Sequence, residues 1–180
     1  MKNALILGLL LLVGSVSANA QKVNVGADPA VDITKYKTYN WAKGQTSANP
    51  LIDQLIVTTV ESQLQAKGLT KAETNPELTI VAFGSIDHDL FVSSPSWAPS
   101  LNSLTTGIYA APQSVPITKG TLVIDITDTK TKNSVWRGTA VDTLKNGPTG
   151  DRAKDAKTVE KPIRKSVDKM FKQFPHPNRK

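Results

Sequence analysis

Leu51, Ile52, Leu55, Ile56, Val60 and Leu64 recur three and four residues apart, with Asp53, Gln54, Glu61 and Gln65 between them. That period predicts a helix with one apolar stripe. Asn49 and Pro50 suit its start, and Gly68 suits the residue after its end, with Leu69 placed to pin the last turn. A second stripe, Val159, Ile163, Val167, Met170, Phe171 and Phe174, is backed by Lys161, Arg164, Lys165, Lys169 and Lys172. Because proline is tolerated only in a first turn, Pro162 restricts the predicted regular helix to about 161–173. Residues 145–157 then read as a polar connection, and Pro175 and Pro177 stop the helix.

The remaining apolar positions follow strand spacing. Val23 and Val25 predict one short strand and residues 38–41 another, separated by Gly26, Pro29 and Asp32. Tyr36, Tyr39 and Trp41 read as wedges closing one end of a core. Residues 78–83 (LTIVAF) are almost wholly apolar or β-branched, which predicts a central strand covered on both faces.

The stretch GTLVIDITDTKTKNSVWRGTA (120–140) predicts a hairpin. Placing Thr129 opposite Asn133 sets Ile126 against Trp136, Ile124 against Gly138 and Leu122 against Ala140, an apolar face. The other face then carries Val123 with Thr139 and Asp125 with Arg137, a cross-strand structural ion pair. A slip of one residue would set Ile124 against Arg137 and conflict with burial.

Residues 90–118 contain no charged residue and four prolines, together with Phe91, Trp97 and Tyr109. A regular helix is excluded there, and a disordered linker would be more charged. The expectation is a folded-back loop or short edge strands lying on the domain, with Trp97 and Tyr109 as candidate stacking surfaces.

Charge changes the picture only at the C-terminus. Residues 21–150 hold eleven Lys/Arg and eleven Asp/Glu, whereas 151–180 hold ten Lys/Arg against four Asp/Glu. The surplus falls on the last helix, so Lys161, Arg164, Lys165, Lys169 and Lys172 form a candidate surface for an anionic envelope polymer or an acidic protein. The alternative is a solvated face that keeps the protein soluble. At the other end, Lys2, the apolar run 4–13 and Ala18-Asn19-Ala20 predict a signal peptide over 1–20, cleaved near Ala20. Residues 21–180 then form one domain, periplasmic or secreted, with 175–180 a frayed basic tail. Export argues against nucleic acid as a partner, and no stretch of the mature chain approaches a transmembrane length. There is no cysteine, so disulfides, thiolate metal sites and lipid attachment at cysteine are excluded.

Catalytic signals are sparse. Asp87-His88-Asp89 would converge only in a turn, since neighbours on a strand alternate faces, and His176 lies near the C-terminus. No phosphate-cradling glycine loop, nucleophile elbow or dinucleotide fingerprint occurs. No catalytic residue, cofactor or metal is expected, although carboxylates paired only in space remain open.

The segments YKTYNWA, NPLIDQLI, AKGL, GTLVIDITDTKTKNSVWRGTA and VDKMFKQFP resemble, in that order, the bacterial envelope family catalogued as domain of unknown function 4136. The resemblance implies an α+β domain in an exported, often lipid-anchored, protein. It implies no catalytic residues, and this chain lacks the lipid-bearing cysteine of many members.

The expected fold is α+β, a mostly antiparallel sheet with two amphipathic helices packed on one face. The expected function is a non-enzymatic exported envelope protein that binds or scaffolds. The alternative is an envelope hydrolase or small-ligand carrier with its site under residues 90–118.

Overall fold

In the computed structural model, which describes residues 21–42, 49–93, 113–144 and 146–175, six strands form one sheet flanked by two helices. The strands are β1 (Lys22–Ala27), β2 (Thr38–Trp41), β3 (Thr70–Lys71), β4 (Leu78–Ser93), β5 (Gln113–Asp128) and β6 (Ser134–Leu144). The helices are α1 (Pro50–Ala66) and α2 (Arg152–Phe171). The sequence segments 1–20, Trp97, Tyr109, His176 and the tail 176–180 lie outside the described residues.

The sheet order is β1-β6-β5-β4-β2-β3. β1, β6, β5 and β4 pair antiparallel, while β2 runs parallel to both β3 and β4. The sheet is therefore mixed, not mostly antiparallel. The physical reason is α1: a helix carried between β2 and the strands after it returns the chain in the same direction, as in any strand–helix–strand crossover.

α1 begins and ends on local chemistry. The Asn49 side chain accepts from the Leu51 amide, and Pro50 takes the first turn, where its missing N–H costs nothing. At the other end Gly68 adopts φ +85°, its amide reaches the Gln65 carbonyl at 2.9 Å, and the Leu69 amide reaches the Leu64 carbonyl at 3.0 Å. This is a Schellman closure, with Leu64 and Leu69 both buried as its hydrophobic contact. Ile56, Val60 and Leu64 carry the buried stripe, whereas Leu51, on the other side of the first turn, is 45% exposed.

α2 starts nine residues earlier than Pro162 had suggested. The Asp151 side chain accepts from the Ala153 and Lys154 amides, and Asp155 reaches back to the amides of Thr149 and Gly150. These contacts fix the start at Arg152 and absorb residues assigned above to a polar connection. Pro162 stands inside the helix. An interior proline costs about 3 kcal/mol, but Val159, Ile163, Val167, Met170 and Phe171 are buried around it. Each such side chain contributes roughly 1.5–3 kcal/mol, so burial outweighs the lost hydrogen bond.

The hairpin register is the one its chemistry requires: Ile126 opposes Trp136, Ile124 Gly138, Leu122 Ala140 and Asp125 Arg137. The turn differs from expectation. Asp128, not Thr129, meets Asn133, and a bulge shifts the pairing to Thr127 with Ser134. The extra residue lets consecutive Val135 and Trp136 both be buried.

The core lies on one face only. Leu78 and Ile80, Leu122, Ile124 and Ile126, and Trp136 and Ala140 meet the helices. The opposite face of β4 is open, with Phe83 52% exposed, because both helices lie on the same side. The expectation that this strand is covered on both faces fails for that reason. Most of the segment expected as a folded-back loop or short edge strands, 94–112, lies outside the described residues, but its ends, residues 90–93 and 113–118, are strand. They extend β4 and β5 as an antiparallel pair, Ser93 pairing with Gln113. Pro116 sits in β5 where only β4 lies beside it, a position a proline tolerates.

Candidate functional site

α2 presents two chemically opposite faces. On the solvent side Lys157, Lys161, Lys165 and Lys169 recur every four residues, a ridge about 18 Å long at 1.5 Å per residue. Lys157, Lys161 and Lys165 are exposed and Lys169 is half-buried. Arg164 and Lys172, also exposed, are neutralised along the helix by Glu160 at 3.0 Å and Asp168 at 2.9 Å. The four lysines of the ridge have no ion pair among the described residues.

The other side of α2 roofs a cavity of about 610 Å³ between the two helices and the sheet. Ile52 and Ile56 of α1, Val159 and Ile163 of α2, and Leu122 and Leu144 of the sheet give it apolar walls. Gly84 and Gly120 lie on its floor, on the helix-facing side of β4 and β5. Their lack of side chains keeps the floor low. Both helix N-termini stand at this end, tied by a hydrogen bond from Asn49 Nδ2 to the Arg152 carbonyl at 3.1 Å.

Two carboxylates line the cavity, and they differ. Asp155 accepts from the Thr149 amide at 2.8 Å, the Thr149 hydroxyl at 2.7 Å and the Gly150 amide at 3.2 Å. The Thr149 amide and hydroxyl, helped by Gly150, hold its carboxyl below the usual range. It is a turn-holding anion, unsuited to general-acid work. Asp142 faces the helices between Ala140 and Leu144, is half-buried, and makes no hydrogen bond or ion pair with any described residue.

Arg137 Nη2 donates to Asp125 Oδ2 at 2.6 Å on the open face of the sheet, and the Ser134 hydroxyl donates to Oδ1 at 2.5 Å. Burial pulls the Asp125 carboxyl upward, but these two donors outweigh it and the carboxyl sits low. With the Arg137 side chain 59% exposed, water screens the pair and it adds little to stability. It staples β5 to β6, away from the cavity. Asp87, His88 and Asp89 lie within β4, not at its end, so successive residues alternate faces. Among the described residues no three His, Cys, Asp or Glu side chains gather as a metal site, and no helix is long and apolar enough to cross a membrane.

Asp142, Gly84 and Gly120 were not singled out from the sequence. The available signal was weak: glycine interrupting a strand, and a carboxylate at a position whose parity, counted from Trp136, faces inward.

The fold and this site define an α+β domain with one helix-covered sheet face and a cavity beneath the helices. The chain matches the model of the family described as domain of unknown function (DUF4136) over residues 23–176, and it belongs to that family. Among curated proteins none matches. A PDZ domain protein from Parabacteroides distasonis is similar in structure over 87% of this chain, at 19% identity and TM-score 0.57. This chain spans 36% of that protein's length, and the likeness speaks for the fold alone. A neuraminyllactose-binding hemagglutinin homolog from Helicobacter pylori (12% identity, 79% of this chain and 84% of that one, TM-score 0.44) is more distant. So is the PelC dodecamer from Paraburkholderia phytofirmans (12% identity, 84% and 99%, TM-score 0.42). At TM-scores this low the two support no conclusion about this chain.

Proposed function

We propose that this is a non-enzymatic exported envelope protein that binds an anionic envelope polymer through the lysine ridge of α2. The observation that carries the reading is the ridge itself: Lys157, Lys161, Lys165 and Lys169, evenly spaced and without carboxylate partners among the described residues, next to two cations that have them. Evenly spaced charges suit a linear partner bearing repeated negative charge, and residues 21–150, with equal numbers of cations and anions, add no net opposing charge. The apolar run and small residues of 1–20 support an envelope location for that polymer. Trp97 and Tyr109 remain the candidate stacking surface if binding proves independent of salt.

A hydrolase reading has less support. Of the two cavity carboxylates, Asp155 is committed to the turn before α2, leaving Asp142 without a second acid or base among the described residues.

Binding of alginate, with neutral dextran as control, tests the proposal. Affinity is expected to fall steeply between about 50 and 500 mM salt as screening tightens, and Lys161→Glu/Lys165→Glu/Lys169→Glu is expected to abolish it. Equal binding by that variant, or no salt dependence, would reject the ridge. Mass measurement of the envelope-fraction protein checks export, with Gln21 expected as the first residue.

A further inference from the structure

The cavity under the helices is independent of the lysine ridge, on the opposite side of α2, and its chemistry points to a different class of ligand. We infer that it binds an amphiphilic amine: an apolar chain between α1 and α2 over Gly84 and Gly120, with its ammonium group on Asp142.

Volume and walls come first. At about 610 Å³, the cavity falls within the roughly 300–1,000 Å³ typical of small-molecule sites, which are mostly apolar with few fixed polar groups. Ile52, Ile56, Leu122, Leu144, Val159 and Ile163 provide the apolar part. At Gly84 a Cβ would meet Ile56 Cδ1 at 3.2 Å, the movable end of a side chain, and the Thr121 carbonyl at 4.0 Å. The nearest atoms to a Cβ at Gly120 would be Leu144 carbons, at 3.4–3.5 Å.

Charge then selects the head group. Asp142 is a carboxylate withdrawn partly from water beside apolar walls, with no donor of its own among the described residues, and such a group favours a cation that brings donors. The helix N-termini at the same end would attract an anion if their amides were free. They are not. Asp151 takes the Ala153 and Lys154 amides, Asn49 takes the Leu51 amide, and Asp155 takes the turn before α2. The one cation in the lining, Arg152, is exposed and makes no ion pair among the described residues, against two lining carboxylates, Asp142 and Asp155. The mouth is therefore net acidic, and a fatty acid would set its carboxylate against Asp142.

Titration calorimetry at neutral pH with decylamine, decanol and decanoate, each below its micellar concentration, tests this directly. Decylamine is expected to bind best and decanoate worst. Asp142→Asn is expected to weaken decylamine by about tenfold or more, the loss of one charge-assisted hydrogen bond, while leaving decanol unchanged. Gly120→Leu is expected to remove binding of all three, with circular dichroism confirming a native fold. The inference fails if decylamine and decanoate bind alike, if Asp142→Asn leaves decylamine unaffected, or if no probe binds. It also fails if folded Gly120→Leu binds as before. None of these results depends on alginate binding, so the ridge and the cavity stand or fall separately.

Discussion

Gly138 and Gly120 lie on the same face of the same sheet, one under each end of the helix pair, and their surroundings are opposites. Over Gly138 the space is filled: a Cβ would sit 2.6 Å from Met170 Sδ and 2.8 Å from the Trp136 ring. Trp136, Phe171 and Phe174 stack around it with centroids 5.3–5.4 Å apart. Over Gly120 the helices leave a cavity. A glycine in a strand thus marks a vacancy, and what enters it depends on the element above. At the C-terminal end of α2, Met170 and the ring of Trp136 enter. At the N-terminal end the same face meets Val159, Ile163 and the small Ser166, which do not fill it.

Breaking the filled end should have the largest effect. Trp136→Ala is expected to cost about 3–5 kcal/mol in urea unfolding. The indole Nε1 has no hydrogen-bond partner among the described residues, so packing alone holds the ring. Gly138→Ala should cost about 1–3 kcal/mol by overpacking against Met170. Gly120→Ala should stay within about 0.5 kcal/mol of the parent, since its methyl meets ordinary contacts. Equal costs for the two alanine variants would erase the distinction between the ends.

The smallest effect is a titration at the sealed end. Tyr36 donates to Asp128 at 2.7 Å, and that hydrogen bond, with burial, pushes its pKa up to about 12 from 10.0. A raised folded value means the contribution is complete below pH 10 and is lost as pH climbs through about 12. The Tyr36 share of the phenolate absorbance, read as the difference from Tyr36→Phe, should therefore appear late in the parent and earlier in Asp128→Asn. An unchanged titration in that variant would assign the shift to something other than Asp128.

Sequence reasoning reached the filled end and not the hollow one, for a physical reason. Register across β5 and β6 is set by which side chains oppose each other, so Ile126, Trp136, Asp125 and Arg137 were sufficient to place it. Asn49, Pro50 and Gly68 act on their own neighbours and were equally legible. The cavity is made by distance between helices, and nothing local at Gly84, Gly120 or Asp142 records that distance. The mixed sheet was hidden similarly, because β2 and β4 become neighbours only through the path of α1. Pro162 misled: its local cost is real, but five buried side chains of the same helix exceed it.

β6 ends opposite Thr118 and β2 opposite Ile80, yet β4 and β5 run on together to Ser93 and Gln113. The five pairs beyond Thr118 have no third strand beside them among the described residues and form a ribbon roughly 17 Å long at 3.3–3.4 Å per residue. A two-stranded ribbon has little stability of its own in water, so amide exchange should quicken steadily from its root toward its tip, while the rest of both strands exchanges only with the whole molecule.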